Sequence, residues 1–154
     1  MKALVIGVTG HIGSAIARRR VANGWQVSGM SRRRSPTPNL EGVKLRWIQA
    51  DADADGSVES AARGHDLVVD AAAPYPTQGM LSTFSGQTPA EDAVARADRL
   101  LRVCRDNGAA LIYIGSFVTH FGKEANVRPT AFGPLSRAIR KLHPYFAVKE
   151  AIEK

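Results

Sequence analysis

Tyr145 and Lys149 place a phenol and an ammonium four residues apart in the run Tyr-Phe-Ala-Val-Lys. On a helix, that spacing sets both groups on one face. A free tyrosine ionises at about pH 10, and a close cation favours the phenolate, which eases proton exchange with a substrate oxygen. Ser116 follows the apolar end of a strand-like run, where its hydroxyl could hold the same oxygen from another side. By spacing alone the pair suits an amphipathic surface helix equally well, so the elements that position it must decide.

The chain opens with Lys2 to Ile6, which reads as a buried parallel strand, and then breaks into Gly7-Val8-Thr9-Gly10-His11-Ile12-Gly13. An alanine- and arginine-rich helical stretch follows, with an apolar stripe expected at Ile12, Ala15, Ile16 and Val21. Glycine permits a tight turn at the first position, close approach of phosphate at the second and tight helix packing at the third. The start of the helix adds free N–H groups and a partial positive charge. Alone, the glycines describe an ordinary turn. Set between strand and helix, Gly7, Thr9, Gly10, His11, Ile12 and Gly13 are expected to cradle a dinucleotide pyrophosphate.

The same strand and helix rhythm continues. Val27 to Met30, Lys44 to Ala50, Asp66 to Ala73 and Ala109 to Gly115 read as further strands, with helices near 11 to 23, 57 to 63 and 89 to 107. Repeated units of this kind predict an α/β fold, a doubly wound parallel sheet of Rossmann type. Thr88-Pro89-Ala90-Glu91 carries a capping box, and Asn107-Gly108 supplies a left-handed helix stop. The stretch Pro74 to Gln87 is expected to be a loop at the carboxyl edge of the sheet, where ligands of such folds bind. A last helix begins at Tyr145 and meets the end of the sequence at Lys154 with no cap. One NAD(P)-binding domain over 1–154 is therefore expected, cut inside the helix that bears Tyr145.

Bulk properties narrow the class. The 154 residues and 44% hydrophobic content fit one globular domain, and no apolar run approaches a membrane span. Met1-Lys2 runs directly into the first strand, which leaves no room for a signal peptide, so a cytoplasmic location without membrane association is expected. The single cysteine, Cys104, falls in the pattern Val94, Ala97, Leu101, Cys104, expected to face inward as filler. A net charge of +7 raises nucleic-acid binding. Against it, Arg18-Arg19-Arg20 is expected on a solvated helix face and the few aromatics offer no stacking platform, so no nucleic-acid partner is expected.

Taken together, Gly7, Gly10 and Gly13, Asp51 after the third strand, Ala71-Ala72-Ala73 after the fourth, Ser116 after the fifth and Tyr145 with Lys149 resemble the short-chain dehydrogenase/reductase superfamily. The resemblance is to its extended branch of NAD(P)-dependent epimerases/dehydratases and dihydroflavonol-reductase-like enzymes. Ile6 departs from it, standing where that branch's motif begins with threonine. The resemblance implies Tyr145 as catalytic acid/base, Lys149 as the group that lowers its pKa and binds the nicotinamide ribose, and Ser116 as the group that orients substrate. It also implies that Asp51, with Ala52 beside it, meets the adenine and that Ala71, Ala72 and Ala73 border the cofactor. The same family implies that the C-terminal elements of the domain and the substrate-binding portion are absent.

Charge bears on which cofactor. NAD binders tend to carry an acid about 20 residues past the glycine turn, whereas this stretch reads Ser31-Arg32-Arg33-Arg34 with no acid before Glu41. Guanidinium groups bind phosphate through paired donors, so Arg32 and Arg33 are expected to favour NADP(H) over NAD(H) by holding the 2′-phosphate, unless all three are solvated loop residues. Asp51-Ala52-Asp53-Ala54-Asp55-Gly56 opens like a calcium loop, but Ala62 stands where the bidentate glutamate is needed. His11, His65, His120 and His143 share no metal-ligand spacing and are expected on the surface or in loops, so no metal is expected. The reading that follows is an NADP(H)-dependent oxidoreductase acting on a small-molecule carbonyl or alcohol. A sugar-nucleotide epimerase/dehydratase and a non-catalytic NADP-binding redox sensor stay open, as does a homodimer.

Overall fold

Side chains of Lys2–Ile6 (β1) alternate between two buried faces, Ala3 and Val5 to one and Leu4 and Ile6 to the other. A strand buried on both faces must sit inside a sheet covered on both sides. The structure, a computed structural model, describes residues 1–72 and 90–115. After β1 come α1 (His11–Ala22), β2 (Gln26–Ser31), a 3-10 turn (Pro38–Leu40), β3 (Arg46–Gln49), α2 (Ser57–Ala62), β4 (Leu67–Asp70), α3 (Ala90–Asp106) and β5 (Ala110–Tyr113). The strands form one parallel sheet in the order β3-β2-β1-β4-β5. The direction of winding reverses at β1, so the crevice of this α/β fold lies beyond the carboxyl ends of β1 and β4.

Leu4, Ile6, Met30 and Val68 pack under Val58, Ala61 and Ala62 of α2 and Leu100 and Cys104 of α3. Val5, Val8 and Val27 pack against Ala17 of α1 and Leu40. Helices on both faces make the doubly wound arrangement expected from the sequence. Each fully buried Leu or Ile stabilises the fold by about 1.5–3 kcal/mol through area removed from water. Gly29 of β2 lies under Val8, whose Cγ1 would stand 2.9 Å from a Cβ at that position. Gly108, at φ +65, ends α3 in the left-handed conformation that its sequence context predicts.

Both helix stripes differ from the sequence expectation. In α1, Ile16 and Val21 are partly buried against the core as expected, but Ile12 and Ala15 are exposed, and the fully buried residues are Gly13, Ser14 and Ala17. At Gly13 the helix lies so close to the glycine turn that no side chain fits beneath it. In α3, Leu101 is 58% exposed, Val94 is at the surface, and Arg96, Leu100 and Cys104 are buried. Cys104 is thus inward as expected, and burial pushes its thiol pKa up, away from thiolate chemistry. Among the described residues, no helix is long and apolar enough to cross a membrane. The capping box at Thr88 and Pro89, the loop from Pro74 to Gln87 and the histidines His120 and His143 lie outside the described residues.

The revised α3 stripe can be tested with adjacent leucines. Leu100→Ala should cost about 2–5 kcal/mol in urea unfolding, whereas Leu101→Ala should stay within about 0.5 kcal/mol of the parent. Equal costs would contradict the placement.

Candidate functional site

Backbone crowding builds the turn between β1 and α1. Gly7 has φ +75, and a Cβ there would fall 2.8 Å from the Ala71 carbonyl and 2.7 Å from Ala72 Cα. No other residue tolerates both that conformation and that neighbour. Met30 O accepts from the Gly7 N–H at 3.0 Å, and Gly7 O accepts from the Gly10 N–H at 3.0 Å. Gly13 closes the turn from the helix side, since its Cβ would stand 2.3 Å from Gly7 O. Gly10 caps α1 in extended conformation, no side chain among the described residues caps that end, and the first turn holds no acid. His11 and Ile12 are exposed on this first turn.

This geometry suits a pyrophosphate. Helix-terminal N–H groups have no partner within their own helix, and among the described residues neither a carboxylate nor a capping hydroxyl takes the place of an anionic ligand. The absence of side chains at Gly7, Gly10 and Gly13 leaves backbone as the surface that a dinucleotide would meet.

The end of β2 is tied to that turn. Thr9 Oγ1 and Ser31 Oγ lie 3.3 Å apart, and Ser31 Oγ accepts from the Arg33 N–H at 3.2 Å. Arg33 O in turn accepts from Trp47 Nε1 at 3.2 Å. Arg32 and Arg33 are exposed on a loop anchored at both of its sides. Ser31 is not among the expected site residues, although its place as the last strand residue before the arginines is visible in the sequence. The other triplet is only partly the solvated face expected of it. Arg18 donates to Asn39 O at 2.7 Å, and Arg20 stacks over Trp25 at 4.6 Å.

Past β3, Asp51 Oδ1 accepts from the Asp53 N–H at 3.1 Å, Ser57 Oγ donates to Asp51 O, and Ala52 is buried in the core. Past β4, Ala71 N donates to Ile6 O at 3.0 Å and Ala72 N to Asp70 Oδ1 at 3.0 Å. That local side-chain bond follows the strand's end at Asp70, earlier than the sequence pattern suggests. The structure thus brings Gly7 to Gly13, Arg32, Arg33, Asp51, Ala52, Ala71 and Ala72 to one edge of the sheet. Ala73, Ser116, Tyr145 and Lys149 lie outside the described residues.

Sequence reasoning misses a buried charge cluster at this edge. Arg96 Nη1 lies 2.5 Å from Asp53 Oδ1, and its Nε lies 3.4 Å from Asp70 Oδ2. The Asp70 side chain is 1% exposed and that of Arg96 4%. Burial disfavours the guanidinium's charge, yet the Asp70 and Asp53 carboxylates outweigh it and raise its pKa above the ordinary value. The one hint is a carboxylate ending the apolar strand Leu-Val-Val-Asp, which demands a partner without saying which. His65 also corrects an expectation. It is buried, with Nε2 2.9 Å from Ser28 Oγ. Among the described residues, no group of three or more His, Cys, Asp or Glu is placed to hold a metal ion.

A model of the NAD dependent epimerase/dehydratase family matches residues 3–154. The chain belongs to that family. This agrees with the resemblance to epimerases/dehydratases that the sequence carries. Among solved structures, a short-chain dehydrogenase/reductase superfamily protein from Agrobacterium tumefaciens with bound NAD is 19% identical, with TM-score 0.65. That likeness covers 99% of this chain and 43% of that one. The UDP-glucose 4-epimerase of Thermus thermophilus, in complex with NAD, is 23% identical, with TM-score 0.70, over 99% of this chain and 49% of that one. TunA, an NAD-dependent NDP-hexosamine 5,6-dehydratase of tunicamycin biosynthesis, is 24% identical, with TM-score 0.66, over 99% and 47%. At these identities the likeness shows the fold, and this member of the family spans about half the length of those relatives. A search of curated proteins finds no match.

The glycine turn makes its own prediction. Gly13→Ala would drive a methyl into Gly7 O, so it should lower stability by at least the 1–3 kcal/mol that is roughly typical of overpacking. Ala15→Ser, on the exposed side of the same helix, should leave the melting temperature nearly unchanged.

Proposed function

We propose that the chain is the dinucleotide-binding part of an NADP(H)-dependent oxidoreductase acting on a carbonyl or alcohol. The observation that carries the reading is the uncapped start of α1 behind a turn whose three glycines leave only backbone to meet a ligand. Family membership supports dependence on a nicotinamide cofactor. The exposed Arg32 and Arg33, held at the end of β2 by Ser31 and Trp47, support a preference for a 2′-phosphate.

The backbone N–H groups of His11, Ile12 and Gly13 would hold the pyrophosphate, Asp51 and Ala52 the adenine side, and Ala71, Ala72 and Ala73 the wall of the cleft. When bound, the nicotinamide supplies hydride to a carbonyl carbon or accepts it from an alcohol carbon. Tyr145 gives its proton to the carbonyl oxygen in one direction and takes the alcohol proton in the other. Lys149 stabilises the phenolate and contacts the nicotinamide ribose, while Ser116 holds the substrate oxygen. Loss of hydride and proton together leaves the substrate neutral throughout.

A second reading is favoured by the family match and by the epimerase and dehydratase among the solved relatives, namely conversion of a nucleotide sugar with a retained cofactor. The two readings share Ser116, Tyr145 and Lys149 and differ in whether cofactor is exchanged each turn. Release of oxidised cofactor in step with product would favour the reductase.

Arg32→Ala and Arg33→Ala should each weaken NADPH binding about tenfold, the worth of one charge-assisted phosphate contact, and leave NADH affinity unchanged. Equal NADPH and NADH affinities in the parent and both variants, measured by nucleotide fluorescence, would reject the preference. In the complete enzyme, Tyr145→Phe should abolish turnover over a panel of carbonyl substrates while cofactor affinity stays within about twofold. Surviving turnover would remove Tyr145 from its assigned role.

A further inference from the structure

Arg96 joins two chain exits that the sheet alone leaves independent. Asp70 ends β4, and Asp53 lies in the turn after β3. The strands β3 and β4 stand on opposite sides of β1 with β2 between β3 and β1. Among the described residues, no strand pairing links them directly. The guanidinium reaches both carboxylates from α3, by way of Nη1 to Asp53 and Nε to Asp70. A buried ion pair generally adds little net stability, because desolvation offsets the attraction. Its distinctive effect is to hold two segments in one arrangement.

Each carboxylate passes that arrangement on. Asp70 Oδ1 accepts from Ala72 N and so fixes the path of Ala71–Ala72, the backbone against which Gly7 packs with no room for a Cβ. Gly7 O receives Gly10 N and lies under Gly13. On the other side, Asp53 is bonded through its N–H to Asp51 Oδ1. An unbroken series of contacts thus runs from the Asp51 turn through Asp53, Arg96, Asp70 and Ala72 to the glycine turn.

We infer that Arg96, acting through Asp70 and Asp53, is a positioning residue that sets the separation between the glycine turn and the Asp51 turn, the pyrophosphate and adenine sides of the dinucleotide cradle. This rests on the reading of that edge as a nicotinamide dinucleotide site. The adenosine diphosphate half of a dinucleotide meets both turns at once, so an error in their separation weakens every contact at one of them. Arg96 itself touches no ligand in this scheme.

The test uses the 154-residue chain and titrates NADPH and NADH against the parent, Arg96→Lys and the double variant Arg96→Met/Asp70→Asn. The double variant removes the buried Arg96–Asp70 pair as a unit, leaves in place the more exposed Asp53 carboxylate, and keeps an acceptor for Ala72 N. Binding of both nucleotides should weaken about tenfold in the double variant and less in Arg96→Lys. The Asp53 and Ala72 amides should exchange with deuterium faster in the double variant, while its melting temperature stays close to the parent's. If the double variant does not fold, Asp53→Asn, which breaks the cluster at its more exposed end, replaces it with the same expectation. Nucleotide affinity and amide exchange both at parental values would overturn the inference alone. A loss of melting temperature without any loss of affinity would also overturn it, since that marks a structural role. A parent chain that binds neither nucleotide would overturn the reading of the site, and the positioning role with it.

Discussion

The tightest constraint in the molecule is backbone against backbone. Gly7 presses on the carbonyl of Ala71 and the Cα of Ala72, and Gly13 presses on Gly7 from the other side. Two segments distant in sequence, the turn 7–13 and residues 71–72, meet there with no side chain between them. The consequence for α1 is that the residues fully buried under its first turns are the small Gly13, Ser14 and Ala17, while Ile16 and Val21 pack against the core from its margin. Ile12 turns outward, Arg18 reaches the 3-10 turn and Arg20 lies over Trp25. The same closeness leaves the helix start open, with bare backbone at Gly10 and Gly13.

Around that contact the electrostatics fall into two kinds. At the end of β2 the charge is exposed and fixed only through neighbours, Ser31 under the Arg33 amide and Trp47 on its carbonyl. Such guanidinium groups keep their hydration until a phosphate displaces it, which suits recognition. Beneath the ends of β3 and β4 the charge is buried and already paired, Arg96 with Asp70 and Asp53. Paired charge in that setting offers nothing to a ligand but resists any shift of the loops it joins.

Some features are readable in the sequence because they are local. The buried strand Lys2–Ile6, the glycine turn and the left-handed stop at Gly108 each declare themselves within a few residues, and the structure places them as expected. The helix stripes do not declare themselves. Hydrophobic spacing suggests Ile12 and Leu101, whereas steric closeness chooses Gly13 and Ala17, and ion pairing chooses Arg96. Arg96 and Asp53 are separated by 43 positions, a distance over which no local pattern reports a pairing. His65 reads as a surface residue because histidine usually lies there, and only the fold shows Ser28 beside it. Ser116, Tyr145 and Lys149 rest on the sequence alone.

Val8 and Gly29 occupy one shared volume, the valine's methyls filling the space that a side chain on β2 would need. Because that space sits directly beneath the first turn, the two positions are not independent choices for evolution or for an engineer. An alanine at 29 requires a smaller residue at 8 and a small shift of Leu45, whose Cδ1 would stand 3.2 Å from the new Cβ. Descendants of this chain should therefore vary at these positions together or not at all.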